Sequence, residues 1–289
     1  MGRKRDPRQH VLERINLHAA GIDIGASGHH VAVPPGSSPD GKDVREFGAF
    51  TEDLIAIAQW LQACGVTTVA MESTGVYWIP LYDLLDSHGF KVHLVDPRQL
   101  KRVPGRKTDI LDCQWLQELH TMGLLGGAFR PPDQVATLRV FVRQREMLVQ
   151  YASDHIQHLQ KALTQMNVKL QHVVADITGV TGMAIIRAIV AGERDPKVLA
   201  AHRQAGCKRD EPTIAKALEG TWREEHLFSL RQSLELFDVY REKIVACDAA
   251  IEAQLASFPD CTGGAALPPP GRAQRRKNQP AFDLRAAFG

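Results

Sequence analysis

The spacing of apolar residues changes character once along the chain, at Pro131-Pro132, and no other feature restricts the fold as much. Upstream, short β-branched runs alternate with helical patterns. His18–Gly25 reads as a strand ending in a glycine-punctuated turn, His29–Val33 as a second strand, and Val44–Phe50 as a third beyond the loop 34–39. A helix follows to about Ala63, with Thr51 expected as its N-cap and apolar residues at 54, 57, 58 and 61. Val66–Met71 reads as a strand, Val76–His88 as a helix, Phe90–Val95 as a strand, and Thr108 to about Met122 as a helix. Three strands with short connections predict an antiparallel meander. The strand–helix–strand units need crossovers and predict parallel neighbours. The expected class is α/β, a mixed sheet flanked by helices.

Downstream, Leu138, Val142, Arg145, Val149, Ala152, Ile156, Leu159, Leu163, Met166 and Leu170 recur at alternating four- and three-residue steps. This is a coiled-coil seam of about four heptads, and Arg145 is its one polar member. A second long helix is expected from about Glu224 to Phe258, with seam positions at 227, 230, 234, 237, 244, 251 and 255. Shorter helices are expected over 180–220, with breaks near Gly179, Gly192 and Gly206. Residues 262–277 are rich in Pro, Gly and basic residues and read as a flexible linker. The expected division is 15–130 for the α/β domain, 131–258 for an all-α coiled-coil domain and 259–289 for a basic tail. Whether the two seams meet within one chain or between copies is open at this level.

The length, 289 residues, suits about two domains of roughly 150. Hydrophobic residues at 44% and charged residues at 24% exclude global disorder. The net charge of +2 means that a nucleic-acid partner must declare itself in local patches. No apolar stretch approaches the ~18 residues of a membrane span, and the basic residues 1–15 lack the apolar run of a signal peptide. Five scattered cysteines without a C-x-x-C argue for a reducing cytoplasm and against a disulfide frame or zinc knuckle.

Four acids sit where solvation alone does not explain them. Asp23 lies between Ile22 and Ile24, Glu72 ends an apolar strand before Ser73-Thr74-Gly75, and Asp109 and Asp112 share a helical face three residues apart. Each alone has an ordinary reading as a capping or first-turn acid. Together they change the expectation, because the first strand and the first crossover strand can be neighbours at the sheet centre. Two carboxylates 4 Å apart repel by roughly 4 kcal/mol at an effective dielectric near 20. A cluster therefore calls for protonation or for hard divalent ions such as Mg²⁺.

Gly21-Ile-Asp-Ile-Gly25, Met71-Glu-Ser-Thr-Gly-Val-Tyr-Trp78 and Lys107-Thr-Asp-Ile-Leu-Asp112 together resemble the N-terminal RuvC-like domain of the insertion sequence 110 family of DEDD transposases, recombinases guided by a bridge RNA. The resemblance is specific over about 15–130 and looser over 130–258. It implies an RNase H-like fold, a two-ion Mg²⁺ site on Asp23, Glu72, Asp109 and Asp112, and DNA, guide RNA and further copies of the chain as partners. Cys113 stands where the family pattern suggests a small residue and reads as a packing change. The family joins this domain to one that supplies a nucleophilic serine. No segment here matches it, so the resemblance implies a chain catalytically incomplete alone, ending at the approach to that domain.

Arg98, Lys101, Arg102, Arg106 and Lys107 precede Asp109 and read as a contact to nucleic-acid backbone. Tyr77 and Trp78 are expected to pack on the sheet rather than stack on bases. The turn in Ile177-Thr-Gly-Val-Thr-Gly-Met183 reads as a plain helix entry, and His155 and His158 as water-facing. Competing functions are a non-catalytic nucleic-acid-binding and oligomerisation module, and an actin-like ATPase suggested by Asp23-x-Gly25. The second phosphate loop that an ATPase needs is missing after residue 130. A junction resolvase would share the chemistry, but the Ser-Thr-Gly-Val-Tyr-Trp stretch favours the transposase.

Overall fold

The computed structural model describes residues 13–73, 75–96 and 112–259, and the chain divides into two compact units between Arg130 and Pro131. The first unit holds strands β1 (Ala19–Ile24), β2 (Gly28–Ala32), β3 (Val44–Gly48), β4 (Thr68–Glu72) and β5 (Lys91–Val95). Its described helices are α1 (Thr51–Ala63), α2 (Trp78–Ser87) and α3 (Asp112–Thr121). The sheet order is β3-β2-β1-β4-β5. The β1–β2 and β2–β3 pairs are antiparallel, and β1–β4 and β4–β5 are parallel. The meander and the crossover units are therefore both present, and the mixed sheet with flanking helices is consistent with the RNase H-like fold that the resemblance implies.

Side chains alternate across the pleat, so each central strand feeds two cores. Ile22, Val31, Val69 and Met71, all fully buried, pack with Ile57, Leu61, Leu81 and Leu85 of α1 and α2. On the other face Ala70 and Val95 meet Leu116 of α3. Thr51 is the first residue of α1 and not its cap. The preceding Phe50 takes that place, its backbone N–H donating to the Asp53 carboxylate at 3.0 Å. That bond is the return half of a capping box, the third helical residue's carboxylate satisfying the N-cap N–H.

The second unit contains α4 (Asp133–Gln165), α5 (Leu170–Val173), α6 (Val180–Val190), α7 (Pro196–Ala200), α8 (Glu211–Ala217) and α9 (Glu224–Ala256). The two long helices pair antiparallel within the chain. Gln254 near the end of α9 donates to the Gln134 carbonyl at the start of α4, and Tyr151 meets Tyr240 midway. All seven expected seam positions of α9 are buried, as are Ala152, Leu159 and Leu163 of α4, while Val142 is exposed. Arg145 finds its partner in Asp248, which is 4% exposed and occupies the seam step between Ile244 and Ile251. A charge pair enclosed among the apolar members of the two seams fixes their register.

His158 faces water, but His155 does not. It is half-buried and stacked on Tyr240 at 5.4 Å, with Nδ1 enclosed, because residue 155 borders the seam beside Ile156. Burial first, then His158, pushes its pKa down. The turn before α6 is a plain entry: the Asp176 carboxylate accepts from the Thr178 backbone N–H and hydroxyl.

Candidate active site

The parallel β1–β4 pair runs from Ala19 opposite Thr68 to Ile22 opposite Met71. Ile22 and Met71 both face the α1–α2 core. Asp23 and Glu72, the next residues on each strand, are therefore turned to the other face, side by side at the carboxyl ends of two parallel strands. Both are partly exposed.

That face is the one α3 covers, and Gly21 sets how closely. A Cβ at residue 21 would lie 2.2 Å from the Cys113 carbonyl oxygen and 2.3 Å from the Gln117 backbone nitrogen. With no Cβ, the helix backbone rests directly on the strand, and Gln117 Nε2 donates to the Ala19 carbonyl at 3.2 Å. This contact brings Asp112, the first described residue of α3, onto the face that carries Asp23. The Cys113 thiol records the surrounding charge: burial first, with the Asp23 and Asp112 carboxylates adding, pushes its pKa up to about 11. Cys113 is fully buried, in keeping with a packing role.

The hairpin extends the row of polar residues. Asp23 lies opposite His30, and His30 lies opposite Glu46 with Nε2 3.9 Å from the carboxylate. Glu46, His30, Asp23 and Glu72 thus cross four adjacent strands on one face. Neither His30 nor Glu46 stood out in the sequence. The signal was present in the symmetry of positions 23 and 30 about the turn 25–28.

Beyond Glu72, Ser73 fixes the chain to β5, its backbone N–H and hydroxyl both directed at the Val95 carbonyl, at 3.0 and 3.1 Å. Gly75 then takes φ +59°, a left-handed conformation that suits glycine. The helical pattern from Val76 consequently becomes a turn, and α2 starts at Trp78. The two aromatics part here. Trp78 packs on the core, its indole N–H donating to the Gly75 carbonyl and its ring edge-on to Tyr82. Tyr77 is 51% exposed, contrary to the expected packing.

The structure therefore places Asp23, Glu72 and Asp112 on one face. Among the described residues no three His, Cys, Asp or Glu side chains form a single metal-holding group. Asp109 and the basic residues Arg98, Lys101, Arg102, Arg106 and Lys107 lie outside the described residues. The donor set of Asp23, Glu72 and Asp112 is carboxylate oxygen, which fits a hard divalent ion.

The family model of the insertion sequence 110 DEDD transposases, described as "Transposase", matches residues 20–168, more than half of the chain. The chain belongs to this family. As a DEDD transposase it is a DNA-binding recombinase of a type that usually employs a divalent metal. The match opens in β1 and covers the whole described sheet, α3 and the first long helix. No curated protein matches the chain. Among the described residues no helix is long and apolar enough to cross a membrane.

Proposed function

We propose that this transposase cleaves and exchanges DNA strands with Mg²⁺, and that Asp23, Glu72, Asp109 and Asp112 hold two ions. The observation that carries the reading is the placement of Asp23 and Glu72 side by side, one step past the paired Ile22 and Met71 at the carboxyl ends of two parallel strands, under the helix that carries Asp112. When bound, two such ions would activate an attacking oxygen and stabilise a leaving one. The protein's part is position. Asp23 sits on a strand paired on both sides, Glu72 is held at its root by Ser73, and the Gly21 contact fixes the start of α3. Asp109, three residues before Asp112, would share its helical face.

The reading extends to partners. Arg98, Lys101, Arg102, Arg106 and Lys107 contact phosphates beside the acids, and a guide RNA directs the choice of DNA. Residues 15–130 form the catalytic domain and 131–258 a helical domain used for self-association. Cleavage of element-end DNA by the whole protein with its RNA tests the core of this. Mg²⁺-dependent nicking that falls at least ~100-fold in Asp23→Asn and Glu72→Gln is the expected result. Cleavage indifferent to Mg²⁺ or to both substitutions overturns it, and RNA binding without any metal dependence or cleavage would favour the non-catalytic module.

A further inference from the structure

The turn that leaves the acid pair exposes an aromatic ring. Tyr77 is 51% exposed, its neighbours Val76 and Ile79 are 66% and 39% exposed, and among the described residues no hydrogen bond reaches its hydroxyl. The adjacent Trp78 meets the packing needs of the site by going into the core. Tyr77 is also well placed in space. Ser73 anchors the root of the turn to β5, and Gly75 is left-handed, with the Tyr77 ring 3.5 Å from where a Cβ on residue 75 would stand.

We propose that Tyr77 stacks on an unpaired DNA base next to the phosphodiester that Glu72 faces, orienting the strand across the acids. The proposal rests on the reading of the acids as the cleavage site. An exposed, flat ring flanked by aliphatic side chains suits a nucleobase, since every base offers a π-face and stacking needs no sequence match. A protein seated on this turn would cover the carboxyl edge of β1 and β4, where the phosphodiester must enter. DNA is therefore the occupant the geometry favours.

The test uses the full chain in EDTA with single-stranded oligodeoxynucleotides carrying 2-aminopurine, whose fluorescence falls on stacking. The parent protein and Tyr77→Phe should both bind and quench the probe. Tyr77→Ala and Tyr77→Leu should lose the quenching and bind about 5- to 150-fold more weakly, with unchanged circular dichroism. Parent-like quenching in Tyr77→Ala, loss in Tyr77→Phe equal to that in Tyr77→Ala, no binding by the parent, or quenching of the matching RNA but not of DNA would each overturn the proposal. Because EDTA removes metal from this experiment, failure of the acid site shows separately, in the Mg²⁺-dependent cleavage.

Discussion

Replacing Gly21 by Ala should damage both stability and the site, through one contact. The added methyl would sit 2.2 Å from the Cys113 carbonyl oxygen, 2.3 Å from the Gln117 nitrogen and 2.9 Å from the Gln117 Cα, all backbone atoms of α3. A Cβ essentially never approaches another heavy atom closer than 3.0 Å, so α3 must retreat by about 0.8 Å or tilt. No flexible side chain can absorb that. Overpacking of this kind costs roughly 1–3 kcal/mol, and backbone contacts on both sides of one turn place the change near the upper end. The retreat also carries Asp112 away from Asp23 by more than the ~0.5 Å tolerance of a working site. Urea unfolding should show a lower midpoint at unchanged slope, and Mg²⁺-dependent cleavage should fall by more than the stability loss alone explains. Gly206→Ala, where the methyl meets nothing within 4 Å, is the control and should be near neutral. Parent-like stability and cleavage in Gly21→Ala would refute the claim that this contact sets the helix against the strand.

Asp248→Ala should destabilise the helical unit by about 3–5 kcal/mol, since it removes the carboxylate that the largely buried Arg145 guanidinium donates to. Combining Arg145→Met with Asp248→Leu should restore most of that in the same urea titration. His120 predicts an acid-side loss of stability. The Thr68 hydroxyl donates to the Lys91 carbonyl, so His120 Nε2 donates to Thr68, and burial first, with His93 and Lys91 adding, pushes the imidazole down to about 4. Between roughly pH 6.5 and 4 the unfolded chain takes up a proton that the folded one refuses. Stability should therefore fall across that window, and His120→Gln should flatten the fall as measured by urea unfolding at each pH. Lys101→Glu with Arg102→Glu should weaken DNA binding and reduce its salt dependence in a fluorescence titration, and an unchanged slope would remove these residues from the interface.

How far the chain explains itself differs from place to place. An acid interrupting an apolar strand, as Asp23 does between Ile22 and Ile24, is visible because nothing in the period predicts it. The parallel pairing that sets Glu72 beside it follows from the crossover rule. The seam of α9 is legible as far as its apolar members go, but Asp248 is hidden because a charged residue breaks the pattern it belongs to. The lone Arg145 in the facing seam was the clue, since an enclosed cation requires an anion opposite. Gly21 gave no signal, because a missing side chain is silent in a periodicity argument and its meaning lies in a helix more than ninety residues away. The start of α2 at Trp78 is hidden for a related reason. The pattern from Val76 is helical, and only the left-handed Gly75 delays the helix and leaves Tyr77 outside the core.

The central claim is that Asp23, Glu72, Asp109 and Asp112 bind divalent metal together, and calorimetric titration of the whole protein with Mn²⁺ tests it without requiring turnover. Saturable binding that weakens at least ~10-fold in each of Asp23→Asn, Glu72→Gln, Asp109→Asn and Asp112→Asn is the predicted result. Binding that all four variants share equally with the parent, or a parent that binds no Mn²⁺, would contradict the account.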